Sequence, residues 1–113
     1  LDFMAASSYK GTDSTGKVLI TKDLSRSIKG KNVIIVEDIV DTGQTLHLLC
    51  DMLREKEPES LEVVTLLDKP SRRKVGFKAD YIGFEIPDEF VIGWGMDYDQ
   101  KYRELPYIGV YEP

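Results

Sequence analysis

The sequence predicts an α/β domain built mainly on a parallel sheet. Val33–Val36 is an uninterrupted apolar run, mostly β-branched, which is typical of a strand buried on both faces. Leu61–Leu67 is a second run of this kind. Between the two runs, apolar residues recur at helical spacing: Leu46, Leu49, Cys50 and Leu53. Strand, helix and strand in this order form a βαβ unit, so the two strands should be parallel with a right-handed crossover.

Composition narrows the function classes. A length of 113 residues suits one domain, and 42% hydrophobic with 31% charged residues fits a soluble globular protein. The formal net charge of −5 gives no overall electrostatic footprint for nucleic acid. No apolar run approaches the length of a membrane span. The single cysteine excludes an intrachain disulfide and fits a reducing compartment, so we expect a cytoplasmic protein.

The first elements form a predicted hairpin. Phe3–Ser8 and Val18–Thr21 read as antiparallel strands, and Lys10–Lys17 between them holds two glycines and small polar residues. By composition, this loop is an ordinary hairpin tip rather than a lid over a reacting centre.

The predicted helix follows Thr42-Gly43-Gln44-Thr45 and stops before Pro58. Cys50 lies on its apolar face, where it should act as a small core residue. His47, the only histidine, lies beside that face and is interpreted as partly exposed. The chain therefore offers no histidine-based nucleophile or metal site.

Polar residues gather where the predicted parallel strands end. Glu37, Asp38 and Asp41 follow the central strand, and Lys69 follows the next one. Ligands of open α/β sheets bind at this edge, and a helix N-terminus there can hold a phosphate. The carboxylates could hold ribose hydroxyls, or Mg²⁺ through its water. Asp38 or Asp41 alone is better explained as a helix cap or a surface charge, whereas Lys69 alone is explained equally well as a solvated lysine before a proline turn.

The rest of the chain is less distinctive. Ser71–Lys74 is interpreted as a solvated basic turn, and Ala79–Ile86 and Tyr107–Tyr111 as strands. Glu89–Tyr98 (EFVIGWGMDY) surrounds two glycines with large apolar residues. These either pack in the core or form an aromatic wall for a planar heterocycle.

Several motifs together resemble one family. The strand, the sequence EDIVDTGQT and the helix resemble the phosphoribosyl-diphosphate motif of type I phosphoribosyltransferases. Five stretches agree in order and spacing with hypoxanthine (or hypoxanthine-guanine) phosphoribosyltransferases: Asp2–Tyr9, Val33–Thr45, Leu66–Pro70, Tyr81–Tyr98 and Lys101–Val110. The resemblance implies the type I phosphoribosyltransferase fold, a mainly parallel sheet flanked by helices with an incomplete hood subdomain. It implies a single domain over residues 1–113, with hood-like elements near 88–113.

The resemblance also implies an activity. These enzymes use Mg²⁺ and transfer the 5-phosphoribosyl group from phosphoribosyl diphosphate to hypoxanthine, here with guanine as a second expected base, giving IMP or GMP and pyrophosphate. The partners would be that donor and a 6-oxopurine, in a homodimer or homotetramer without nucleic acid or membrane.

Residue roles follow from the matching positions. Asp41 corresponds to the general base at purine N7. Glu37 and Asp38 correspond to the acidic pair at the ribose hydroxyls and the metal. The 5′-phosphate loop would comprise Thr42, Gly43, Gln44 and Thr45. The purine would contact Lys69, Phe90 and Val91. Asp97 would be linked to the metal, and Arg103 would contact pyrophosphate. Ser8 and Tyr9 would begin a flexible loop that closes over the site. The resemblance therefore reverses the interpretation of Lys10–Lys17 as an ordinary hairpin tip.

Two alternatives remain. A regulator could retain the fold as a ligand sensor, although the acidic charge, Lys69, Phe90 and Asp97 argue against it. An adenine or xanthine phosphoribosyltransferase is the other alternative; Lys69 and the Phe90–Asp97 stretch argue against adenine, whereas xanthine stays open. The family also has an upstream pyrophosphate-binding loop with no match before Leu1. We therefore expect an N-terminally truncated chain that is weakly active or inactive by itself.

Overall fold

The computed structural model describes residues 1–8 and 18–112. Its central layer is a three-stranded parallel sheet in the order β3-β4-β5, formed by Asn32–Val40, Ser60–Asp68 and Tyr81–Glu85. Val36 pairs with Val64, and Val64 pairs with Tyr81, so the three strands run in register across the sheet. The predicted parallel βαβ arrangement is confirmed.

Helix α1 spans Gln44–Arg54 and covers one face of this sheet. The four residues of the predicted stripe, Leu46, Leu49, Cys50 and Leu53, are all buried. They join a core with Val40, Val63 and Ala79. Burial raises the pKa of the Cys50 thiol, as expected for a core cysteine. His47 is 42% exposed in its side chain, which confirms that it lies beside the packed stripe.

Two antiparallel ribbons flank the sheet. Strands β1 (Ala5–Ser8) and β2 (Val18–Lys22) pair as predicted, and they also contact α1. The second ribbon is formed by β6 (Val91–Ile92) and β7 (Gly109–Val110). Strand β7 is shorter than the predicted strand Tyr107–Tyr111, and β6 was not predicted as a strand. Tight turns with positive φ angles at Trp94, Asp99, Gln100 and Tyr102 occupy the segment between the two strands.

The central strand differs from its prediction in two ways. It runs through Glu37 and Asp38 to Val40, so these two carboxylates lie inside the strand and not after it. It is also not buried on both faces, since Ile34 is 64% and Val36 is 78% exposed. No described element packs over that face, whereas α1 packs against the opposite one.

Some predictions concern residues outside this description. Tyr9 and the Lys10–Lys17 loop lie outside the described residues, as does the side chain of Ser8. Among the described residues, no helix has both the length and the hydrophobicity required to span a bilayer. The cytoplasmic location stays a prediction.

Candidate active site

Two cavities open at the edge of the sheet where β3 and β4 end. The first has a volume of about 520 Å³ and lies between the β1–β2 ribbon, the end of β3 and the start of α1. Its polar lining consists of Ser7, Thr21, Glu37, Asp41, Thr42 and Thr45. Because a helix N-terminus carries unpaired amides and a partial positive charge, this cavity suits an anionic ligand with hydroxyl groups.

A tight turn at Thr42 and Gly43 leads into α1. Gly43 adopts φ +80°, a left-handed conformation that suits glycine, and precedes the helix. Thr42 Oγ1 accepts a hydrogen bond from the amide of Gln44 at 3.3 Å. A Cβ on residue 43 would lie 3.0 Å from Cδ of Arg73 and 3.3 Å from Cβ of Phe77. The turn therefore packs closely against the segment that follows β4.

Glu37 contributes an unusual carboxyl to the first cavity. Its side chain is half-buried, and this burial, with the neighbouring Asp38 charge, raises its pKa above the usual range. The ionised form is therefore disfavoured until a partner, such as a hydroxyl or amide donor, compensates for the lost hydration.

The second cavity, about 300 Å³, lies between the end of β4 and the β6–β7 ribbon. Its polar and aromatic lining consists of Asp38, Asp41, Lys69, Phe90, Asp97 and Arg103. The Lys69 side chain is 9% exposed, and Nζ lies 4.0 Å from the Asp88 carboxylate, beyond hydrogen-bonding distance. A buried ammonium at a cavity wall can donate to an acceptor on a ligand.

Aromatic residues shape one wall of this second cavity. The Phe90 ring is half exposed and meets Tyr98 and Tyr111 edge-on, with centroid distances of 5.7 and 6.3 Å. Tyr98 and Tyr111 stack on each other at 4.3 Å. Of the two interpretations from the sequence, the aromatic wall fits better for Phe90, which leaves half its surface uncovered, while Ile92 and Met96 pack inside.

Asp97 and Arg103 are already paired in this structure. Asp97 Oδ2 accepts a hydrogen bond from the amide of Gln100 at 2.7 Å, and Oδ1 lies 3.4 Å from Arg103 Nη1. The Arg103 guanidinium also donates to the carbonyl of Gly95 and to Oε1 of Gln100. Both side chains are thus oriented at the second cavity before any ligand binds.

Ile39 and Asp41 line both cavities, and Asp41 brings a carboxylate to their junction. Its Oδ1 accepts a hydrogen bond from Nε of Arg72 at 2.9 Å, and Arg72 Nε lies 3.8 Å from the Asp88 carboxylate. These two carboxylates raise the pKa of Arg72, so its guanidinium stays protonated.

Sequence reasoning missed the residues that hold Asp41. Ser71–Lys74 was interpreted as a solvated basic turn, which is wrong for Arg73, because its side chain is 14% exposed and pairs with the buried Asp68. Arg73 Nη1 donates to the backbone carbonyl of Asp41 at 2.8 Å. The position of this basic run could have indicated a role at the site, since it follows Lys69 at the same strand end.

The structure brings most of the predicted site residues together, but not in one group. Although Glu37 and Asp38 were predicted to act as a pair, Glu37 lines the first cavity and Asp38 the second, as expected for successive residues of a strand. Gln44 is exposed and lies outside the lining of the first cavity. Val91 lies at the second cavity, with its backbone paired to β7.

Comparison with known proteins identifies the family. The model of the phosphoribosyl transferase domain matches residues 1–101. The chain belongs to this family. It is 53% identical over its whole length to the hypoxanthine-guanine phosphoribosyltransferase of Bacillus subtilis and 55% identical to that of Staphylococcus aureus. It spans 63% and 64% of these two proteins, respectively, and so less than two thirds of either.

Solved structures agree with this assignment. A hypoxanthine phosphoribosyltransferase from Staphylococcus aureus superposes with a TM-score of 0.92 at 56% identity, over 99% of this chain and 61% of that one. The Trypanosoma cruzi enzyme in complex with IMP gives a TM-score of 0.90 at 50% identity, over 99% and 59% of the two chains. The predicted type I phosphoribosyltransferase fold is confirmed, and the two cavities lie on a phosphoribosyl transferase domain.

Proposed function

We propose that this domain serves purine salvage by transferring the 5-phosphoribosyl group from phosphoribosyl diphosphate to hypoxanthine and to guanine. The observation that carries the proposal is that Asp41 lines both cavities. One cavity suits a phosphorylated sugar and the other a planar base, so a carboxylate between them is placed to serve a reaction that joins the two. The names of the relatives support the same reaction.

The donor would occupy the first cavity. Amides and hydroxyls at Thr42, Gly43 and Thr45, together with the N-terminus of α1, would hold the 5′-phosphate. Glu37 would accept hydrogen bonds from a ribose hydroxyl, which would compensate for the hydration its carboxylate has lost. Gln44, which is exposed, would contact the phosphate only from the rim of the turn.

The base would occupy the second cavity. Its ring would stack on the exposed face of Phe90, and the backbone of Val91 would meet its edge. Lys69 would donate a hydrogen bond to the 6-oxo group. Because adenine has an amino group at this position, it would leave the buried ammonium without an acceptor, and the site should reject it by a large factor.

Mg²⁺ is the expected cofactor, and the residues present fit it in a specific way. Among the described residues, no three His, Cys, Asp or Glu side chains converge as a metal cage. Mg²⁺ is usually bound through one or two carboxylates together with substrate phosphates and water. Asp38 and Asp97, both at the second cavity, could supply such carboxylates, and Glu37 could do so from the first. The ion would neutralise charge on the departing diphosphate.

The chain's own groups would carry the remaining steps. Asp41 would accept the N7 proton as the purine attacks the anomeric carbon. Arg103, released from Gln100 and Gly95, would contact the leaving pyrophosphate. Closure of the loop that begins at Ser8 and Tyr9 would exclude water, which would otherwise hydrolyse the donor.

A base-preference assay tests the proposal. The native protein is supplied with the donor, Mg²⁺ and hypoxanthine, guanine, xanthine or adenine, and nucleotide formation is followed. We expect turnover of hypoxanthine and guanine and none of adenine, and Asp41→Asn should lower kcat by about 10²–10⁴-fold, the usual contribution of general acid–base catalysis.

The outcomes separate the alternatives. Turnover of adenine alone, or donor binding with no turnover of any base, would overturn the proposal, and the second result would favour a ligand-sensing regulator. Unchanged turnover in Asp41→Asn would remove Asp41 from its role. The 113-residue polypeptide, assayed alone, tests the separate expectation that it is weakly active or inactive.

A further inference from the structure

The proposed reaction makes no use of a buried ion pair beside the site. Asp68, the last residue of β4, is 2% exposed, and Arg73 contacts its carboxylate through Nη2. Two buried charges are costly to remove from water unless each is well paired. Their position therefore calls for an explanation beyond surface solvation.

The guanidinium of Arg73 contacts more than Asp68. Its second terminal nitrogen, Nη1, donates to the backbone carbonyl of Asp41 at 2.8 Å. The Arg73 side chain also packs on the turn that begins α1, with Cδ 3.0 Å from where a Cβ would stand on Gly43. One side chain thus connects the end of β4 to the peptide of the candidate general base and to the phosphate turn.

Main-chain hydrogen bonds surround this contact. The amide of Lys69 donates to the carbonyl of Val40 at 2.9 Å, and the amide of Lys74 donates to the carbonyl of Thr42 at 3.0 Å. The segment after β4 is therefore attached to the segment after β3 on both sides of Asp41. Arg73 supplies the only side-chain hydrogen bond to the Asp41 carbonyl among the described residues.

We propose that Arg73, oriented by Asp68, is a positioning residue that fixes the peptide of Asp41 and so holds its carboxylate at the junction of the two cavities. This inference rests on the proposed function. The planar guanidinium suits the task, because its nitrogens have a fixed fork geometry that can hold an acidic and a carbonyl oxygen at once. A displacement of about 1 Å at a reacting group can lower the rate by about 10²-fold.

A double substitution separates positioning from simple stabilisation. Arg73→Ala alone would leave Asp68 buried and unpaired, which destabilises a protein whatever the role of the pair. Asp68→Leu/Arg73→Met replaces both charges by apolar side chains, a change that often leaves stability intact. Arg54→Met is the matched control, because Arg54 is an exposed arginine that pairs with Asp51 on α1.

The measurements are thermal unfolding and steady-state kinetics with hypoxanthine. We expect the double variant to melt near the parent protein, with kcat lowered by about 10-fold or more and the KM for hypoxanthine within about 2-fold, since Lys69 and Phe90 are unchanged. Arg54→Met should match the parent. A folded double variant with the parent's kcat would overturn the inference.

A second variant decides the matter if the double variant does not fold. Arg73→Lys keeps the positive charge beside Asp68 but has a single ammonium, which cannot reproduce the planar fork. We expect kcat to fall by about 10-fold or more while the protein stays folded, and a parental kcat would overturn the inference. Absence of purine turnover in the native protein, the parent of these variants, would instead overturn the proposed function, and the inference with it.

Discussion

At the scale of single residues, the site is defined by side chains whose environment differs from ordinary solvent. Asp41 is held at the junction of two cavities, and Lys69 places a charge in a largely buried position. Glu37 is half-buried, and this burial raises the pKa of its carboxyl. Burial of a charged group such as Lys69 or Glu37 is unfavourable for the free protein, and a ligand that pairs with the group would compensate for it.

Glu37→Gln should stabilise the free protein at neutral pH. Because the pKa of Glu37 is higher in the folded than in the unfolded chain, the folded state binds its proton more tightly, and ionisation destabilises it. The destabilisation appears as the pH rises through the pKa of glutamate in the unfolded chain, about 4.3, and is complete above the raised pKa of the folded state. At pH 7 the variant should therefore melt at a higher temperature than the parent.

Thermal unfolding at two pH values checks this prediction. Near pH 4 the difference in melting temperature should shrink, since Glu37 is then largely protonated in both states. The control is Glu59→Gln, at an exposed glutamate, which should leave the melting temperature unchanged at both pH values. A lower melting temperature for Glu37→Gln at pH 7 would show that its carboxylate is already compensated in the free protein. Donor affinity should fall in the same variant if Glu37 contacts ribose.

At the scale of elements, the site depends on two loops that contact each other. The turn between β3 and α1 supplies Asp41–Thr45, and the segment after β4 supplies Lys69, Arg72 and Arg73. The two segments pack closely at Gly43, where a Cβ would lie 3.0 Å from Cδ of Arg73 and 3.3 Å from Cβ of Phe77. The geometry of the N-terminus of α1, and hence of the proposed phosphate site, is therefore set jointly by both segments.

Gly43→Ala should disrupt this junction. The alanine backbone would have to adopt a left-handed conformation, which costs about 1–2 kcal/mol. Its Cβ would lie 3.0 Å from Cδ of Arg73 and 3.3 Å from Cβ of Phe77, which is a tight contact. We expect a lower melting temperature together with weaker binding of the donor, measured by isothermal titration calorimetry. Gly76→Ala is the control, since a Cβ there meets nothing within 4 Å, and equal donor affinity in both variants would contradict the prediction.

At the scale of the whole molecule, the sheet has one covered and one open face. Helix α1 covers one side, whereas Ile34, Val36 and Tyr81 are exposed on the other, next to half-buried Val64 and Leu66. The radius of gyration, 15.0 Å, exceeds the value of about 13 Å expected for a compact domain of this length. An apolar face of this kind favours association with further polypeptide.

The 113-residue polypeptide should therefore self-associate through this face. Ile34→Lys/Val36→Lys places two charges on this face and should shift sedimentation towards the monomer, because burying an unpaired charge in an apolar contact is costly. Met52→Lys, on the exposed side of α1, is the control and should sediment like the parent. Equal sedimentation of all three proteins would contradict the prediction. The homodimer or homotetramer inferred from the family stays a prediction.

The sequence by itself determined the elements and the family. Periodicity identified α1 and the parallel strands, because which face of an element is apolar is a local property of the chain. The order EDIVDTGQT placed Asp41 and Gly43 beside a helix N-terminus for the same reason. These patterns depend on neighbouring residues alone, so they could be read without the fold.

Only the tertiary structure decided how the site is assembled. It divided Glu37 and Asp38 between two cavities, since they alternate along a strand that extends further than its apolar run. It showed that Arg73, interpreted from the sequence as a solvated charge, makes a partly buried hydrogen bond to Asp41, which lies 32 positions away in the chain. It also left Ile34 and Val36 exposed, because burial depends on what packs over a strand and not on the strand's own residues.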